Sequence, residues 1–178
     1  MQYQQRRPDQ HEKRMTYPTP PDEAGRQAAL ESFGILDTPA TPEFDRLTRL
    51  ATAAFDAPIA LVSLLDKDRQ WFKSCIGLHE TSTPRDVAFC AHAILSDEGL
   101  VVPDAKKDSR FANNPLVTGT PFIRFYAGAP LITDAGYRLG TFCIIDNHAR
   151  DDLSRAERAM LRDLADLAME TIERGASS

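Results

Sequence analysis

The chain has 178 residues, a length that suits one domain with a tail and a core large enough to need no disulfides. Hydrophobic residues make up 42% and charged residues 26%, an ordinary globular balance. The net charge of −5, from 26 acidic and 21 basic residues, excludes a generally basic, nucleic-acid-binding surface. Three widely spaced cysteines, Cys75, Cys90 and Cys143, imply free thiols and a reducing, cytoplasmic compartment. No apolar run approaches the roughly 20 residues that span a bilayer, so no membrane partner is expected.

Residues 1–21 are polar, with Arg6, Arg7, Lys13 and Arg14, and read as a disordered, solvated tail ahead of a domain at 22–175. A helix is expected over 23–33, stopping at Gly34. A second opens at Thr41 and Pro42, with Thr41 as cap. Its apolar face is Phe44, Leu47, Ala51, Ala54 and Phe55. Residues 58–66 form a short, nearly continuous apolar run and predict a central strand. The polar pair Lys67 and Asp68 joins it to a second strand over 69–76, which makes an antiparallel hairpin.

A short helix is expected over 86–95 and a brief strand over 99–103. Residues 104–121 are rich in Asp, Asn, Lys, Pro and Gly and read as a long flap with one helical turn around Arg110. Phe111, Leu116, Val117 and Phe122 would pin that flap to the core. Strands over 124–132 and 137–145 form a second hairpin, and Ser154 caps a last helix running to residue 173. The fold class is α+β: a mostly antiparallel sheet of five or six strands, with terminal helices on one face and the short helix plus flap on the other. The strand at 59–65, apolar on both sides, requires cover on both faces.

Several strings, taken in this order, resemble the GAF domains that precede diguanylate cyclase or histidine kinase modules in bacterial signalling proteins. They are Gly34-Ile35-Leu36-Asp37-Thr38-Pro39, Pro58-Ile59-Ala60-Leu61-Val62-Ser63-Leu64, Gln70-Trp71-Phe72-Lys73-Ser74 and Phe89-Cys90-Ala91-His92-Ala93-Ile94. They continue with Val102-Pro103-Asp104-Ala105, Asn114-Pro115-Leu116-Val117, Phe125-Tyr126-Ala127-Gly128-Ala129-Pro130 and Leu139-Gly140-Thr141-Phe142-Cys143. The resemblance implies a sensory role in a homodimer joined through the terminal helices. It also implies a cavity between the sheet and the short helix plus flap.

The ligand-lining residues expected for that cavity are Phe89, Cys90, Asp104, Phe125, Tyr126 and Cys143. No cofactor is named by the residues. Cys90 and His92, two apart on a helix, point about 200° away from each other and cannot share a metal ion. GAF domains that carry bilins place His directly after the attachment Cys, and here Ala91 intervenes. The Asn-Lys pattern of cyclic-nucleotide GAF domains is missing at Asn113-Asn114-Pro115. On the last helix, Met160, Leu164 and Leu167 form one apolar stripe, and Leu161, Ala165, Ala168 and Ile172 form another. One stripe suits the sheet and the other a partner helix.

The expected function is signal reception without catalysis, through a small-molecule ligand and a cyclase or kinase output module. No such module follows Gly175, so the chain is expected to be a fragment or to act on a separate partner. The alternatives are a thiol-dependent small-molecule reductase on the same scaffold and a ligand-free dimerisation module.

Overall fold

A computed structural model describes residues 16–177. The tail expected over residues 1–21 lies, up to residue 15, outside the described residues. From Tyr17 the chain touches the domain: the Tyr17 ring lies 5.0 Å from the Arg85 guanidinium, and its hydroxyl donates to the Lys67 carbonyl at 3.4 Å. Among the described residues no helix is long and apolar enough to cross a membrane.

Helix α1 (Glu23–Ser32) starts where the Asp22 carboxylate accepts the Gly25 amide, and it ends before Gly34, whose φ of 60° few other residues adopt cheaply. Helix α2 (Pro42–Phe55) begins after Thr41 as the sequence predicts, although the Thr41 hydroxyl caps nothing. Its buried face contains Phe44, Thr48, Ala51 and Phe55, while Ala54 faces solvent. Thr48 replaces Ala54 inside because its hydroxyl meets Ser74 Oγ at 2.8 Å.

Among the described residues six strands form one antiparallel sheet in the order β3-β2-β1-β6-β5-β4. They are β1 (Ile59–Leu65), β2 (Arg69–Ile76), β3 (Ser82–Pro84), β4 (Leu100–Val102), β5 (Phe125–Ile132) and β6 (Arg138–Asp146). Central β1 is buried along its whole length, and its alternation feeds two separate cores. Ala60, Val62 and Leu64 join α1, α2 and the closing helix α5 (Arg155–Ala176) on one face. Ile59 and Leu61 join Phe89, Phe111 and Val117 on the other.

The second face is covered by short elements. The helix expected over 86–95 is two pieces, a 3-10 turn at Arg85–Val87 and helix α3 (Cys90–Ala93). The flap is ordered by a 3-10 turn at Ala105–Lys107 and helix α4 (Pro115–Thr118), where Asn114 accepts the Leu116 amide at 2.9 Å and donates to the Val87 carbonyl at 3.0 Å. Phe111 and Val117 are buried as expected. Phe122 is instead 54% exposed, on a left-handed residue with φ 59°, and Ile123 takes the interior position.

Candidate functional site

Between the sheet and this cover lies a cavity of about 80 Å³. Its floor is Leu61 of β1, Phe72 of β2, Tyr126 of β5 and Cys143 and Ile145 of β6, all on one face by strand alternation. Its roof comes from Ala88 and Phe89 and, from the flap, Leu116, Pro121 and Ile123. Phe89 is fixed by stacking on Phe111 at 4.0 Å between ring centroids and by a tilted contact with Tyr126 at 5.2 Å.

The polar groups on the wall are few. Thr83 Oγ1 is buried without a hydrogen-bond partner. Gln70 accepts a hydrogen bond from the Cys90 thiol through Oε1. The Tyr126 hydroxyl approaches Thr141 Oγ1 at 3.4 Å, and Thr141 reaches Ser63 Oγ at 3.1 Å. An apolar chamber with a few orienting groups is the usual make-up of a small-molecule site. Its volume is below the roughly 300 Å³ where drug-sized pockets begin, so this conformation admits only a very small ligand.

Of the six residues expected to line the cavity, Phe89, Tyr126 and Cys143 lie together on its wall. Cys90 sits one layer behind, packed with Leu65, Ala88 and Ile94, and meets the cavity wall through Gln70 and Ala88. Asp104 is held away from it by Arg124, which donates to both carboxylate oxygens at 2.8 and 2.9 Å. Phe125 is a correction: one residue before Tyr126 on a strand, it points into the helix-side core beneath the Arg150 guanidinium. Leu61, Gln70, Phe72 and Thr83 were missed. Period-two alternation would have found the strand residues once Tyr126 and Cys143 were placed.

Burial pushes the Cys90 thiol up to about 12, against the opposing effects of Ser63 and the two nearby arginines. Burial likewise raises Cys143, Cys75 and the Tyr126 phenol. None of the three thiols is therefore a thiolate at neutral pH. The Asp104 carboxyl moves the other way, to about 2, through its hydrogen bonds from Arg124.

A second charged cluster joins the cavity cover to α1. The Glu23 carboxylate accepts from Arg85 at 2.5 Å and from Arg26 at 2.8 and 2.9 Å, while Arg26 also donates to the Leu65 and Leu139 carbonyls at 2.7 and 3.2 Å. Both guanidinium groups are buried. Burial alone would raise the Glu23 carboxyl, but the hydrogen bonds from Arg26, Arg85 and Gln27 overcome it and hold it at about 2.

The model of the GAF domain family matches residues 40–172. A cyclic di-GMP phosphodiesterase of Pseudomonas aeruginosa is 47% identical over 157 residues, which cover 88% of this chain and 27% of that relative's length. The GAF domain of an Acinetobacter phosphoenolpyruvate-protein phosphotransferase has the same fold, with a TM-score of 0.62 at 18% identity over 87% of this chain and 95% of that one. A free methionine-R-sulfoxide reductase of Thermoplasma acidophilum is similar in fold as well, with a TM-score of 0.61 at 14% identity over 82% and 96% of the two chains. The expectation of a protein without catalysis is thereby corrected. The relative at 47% identity is named an enzyme, and a reductase is built on the same scaffold. The chain belongs to the GAF domain family and is a signalling domain of that kind.

Proposed function

We propose that this domain is the sensory module governing cyclic di-GMP hydrolysis in a cytoplasmic enzyme like its Pseudomonas relative. A small ligand enters the cavity between sheet and cover, and the terminal helices of a dimer carry the response. The observation that supports this reading most is the cavity itself, enclosed by a floor of five sheet residues and a roof of short elements. A cyclic dinucleotide is far larger than about 80 Å³, so the ligand is a different and smaller molecule than the substrate of the relative. The path to α1 runs from Gln70 to Cys90, and from the neighbouring Arg85 to Glu23. Such coupling requires the ligand to favour one arrangement of the helices over another.

The test has two arms. Native mass spectrometry of freshly purified protein is expected to show a small molecule that is lost in Ala88→Leu, which fills the cavity. In a chimera where this chain replaces the matching segment of the Pseudomonas enzyme, Ala88→Leu is expected to change the rate of cyclic di-GMP hydrolysis. An empty wild-type cavity together with an unchanged rate would remove the proposal.

A further inference from the structure

The register of β2 against β1 shifts between Val62 and Ser63, so that β2 gains one residue at Lys73. A bulge of this kind re-aims side chains. Here Lys73 and Ser74 both turn toward the helices, while Phe72 and Cys75 keep to the cavity side. Ser74 donates to Asp45 Oδ1 at 2.7 Å, and Lys73 Nζ donates to Thr38 Oγ1 at 2.8 Å and to the Pro39 carbonyl at 2.6 Å.

Lys73 is only 6% exposed, and its ammonium lies 5.5 Å from the centre of the Phe44 ring. Its hydrogen-bond acceptors are neutral oxygens, and Asp45 and Glu43 act on it through space alone. A buried charge is normally matched by a counter-charge, because desolvation is costly.

Lys73 lines an open groove of about 570 Å³ between the α1–α2 connection, the start of α2 and the last turns of α5. That volume falls within the roughly 300–1,000 Å³ of small-molecule sites. A second feature of the groove is independent of the lysine. Thr41, also on its wall, has a buried Oγ1 without a partner, and the first turn of α2 has no side-chain cap. An uncapped helix start offers backbone N–H groups and a positive dipole end to an anion. The rest of the wall is mixed: Phe33, Ile35, Phe44 and Ile172 give it an apolar side, and Thr38, Glu43, Thr171 and Arg174 are its other polar residues.

We propose that this groove is a second ligand site, separate from the cavity and on the opposite face of the sheet, for a small molecule bearing a carboxylate or phosphate on an apolar body. The anion meets Lys73, the Thr41 hydroxyl and the first turn of α2, and the apolar body lies along Ile35 and Ile172. Glu43 borders the same groove and opposes an anion, which makes it a specificity control. An occupant spans α2 and α5, so it would bear on the helix that the signalling proposal moves.

The test uses 15N-labelled chain titrated with inorganic phosphate and, separately, hexanoate at millimolar concentrations. Saturable amide shifts are expected at Thr41, Phe44, Lys73 and Ile172, with hexanoate stronger if the apolar wall contributes and phosphate stronger if the headgroup decides. Lys73→Met is expected to weaken binding by about tenfold or more, and Glu43→Gln to strengthen it several-fold. Circular dichroism checks that each variant folds. Should Lys73→Met not fold, Thr41→Val replaces it and is expected to weaken binding. The proposal fails if neither probe shifts these amides in wild type or Glu43→Gln, or if a folded Lys73→Met or Thr41→Val binds as wild type does.

Discussion

Glu23 serves two buried guanidinium groups with one carboxylate, and its loss leaves both arginines short of an acceptor. Truncating one member of a buried ion cluster costs more than the interaction itself is worth, because the remaining charge stays desolvated. Glu23→Gln is therefore expected to lower unfolding stability by roughly 2–3 kcal/mol at neutral pH. The carboxyl falls from an ordinary 4.5 to about 2 in the folded chain, so its contribution is complete above pH 4.5 and is lost as pH falls toward 2. Urea denaturation between pH 7 and pH 2 checks this. The wild type should lose stability across that window, and the variant should show a correspondingly smaller loss.

The thiols make a second test at the same scale. With Cys90 raised to about 12 and Cys143 raised by the same burial, native protein at pH 8 should leave both unmodified by a disulfide reagent, and guanidinium should release all three thiols. Rapid modification of Cys143 in the native state would point to an open cavity. Neither effect is legible in sequence alone, since each depends on which neighbours the fold supplies. The same limit explains Phe125 and Tyr126. Both residues suit a pocket by type, and only the strand's alternation decides which of two adjacent side chains faces it.

Secondary-structure elements were more readable than individual contacts where local chemistry fixes them. Ser154 accepts the Glu157 amide at 3.2 Å while Glu157 accepts the Ser154 amide at 2.7 Å, a capping box visible in the sequence. Ser154→Ala should destabilise the chain by about 1 kcal/mol, measured by thermal unfolding, with no change in fold. Gly140 is a stricter case. It opposes Leu64 in the β1–β6 ladder, and a β-carbon there would overlap the Ser63 carbonyl oxygen. Gly140→Ala should cost about 2–3 kcal/mol, because the backbone of the central strand must move; a loss below 1 kcal/mol would show that β1 yields easily. The elements that escaped sequence reading, β3 and α4, are three and four residues long, too short for a periodic signal. Thr48 was missed because a hydroxyl looks polar in a helix pattern, while Ser74 across the interface satisfies it.

For the whole molecule, the outer side of the helical layer carries exposed apolar residues. Leu164 and Met169 turn inward with Leu161, Ala165, Ala168 and Ile172, whereas Met160 and Leu167 remain 36% and 46% exposed, and Leu50 of α2 is 60% exposed. The two stripes of α5 thus divide differently from their sequence pattern, since the sheet claims Leu164 as well. Single exposed leucines need no partner, and the dimer through the terminal helices that the proposal invokes would have to use these residues. Sedimentation velocity across a concentration series should show a reversible dimer, and Leu167→Asp should shift it to monomer. Leu167 is about half exposed in the monomer, so its replacement should change the monomer's unfolding stability by only about 0.5 kcal/mol. A protein that stays monomeric at high concentration, or a Leu167→Asp variant that still dimerises as wild type does, would detach α5 from the contact. The helices would then have to pass the cavity's signal along their own chain, not across a pair.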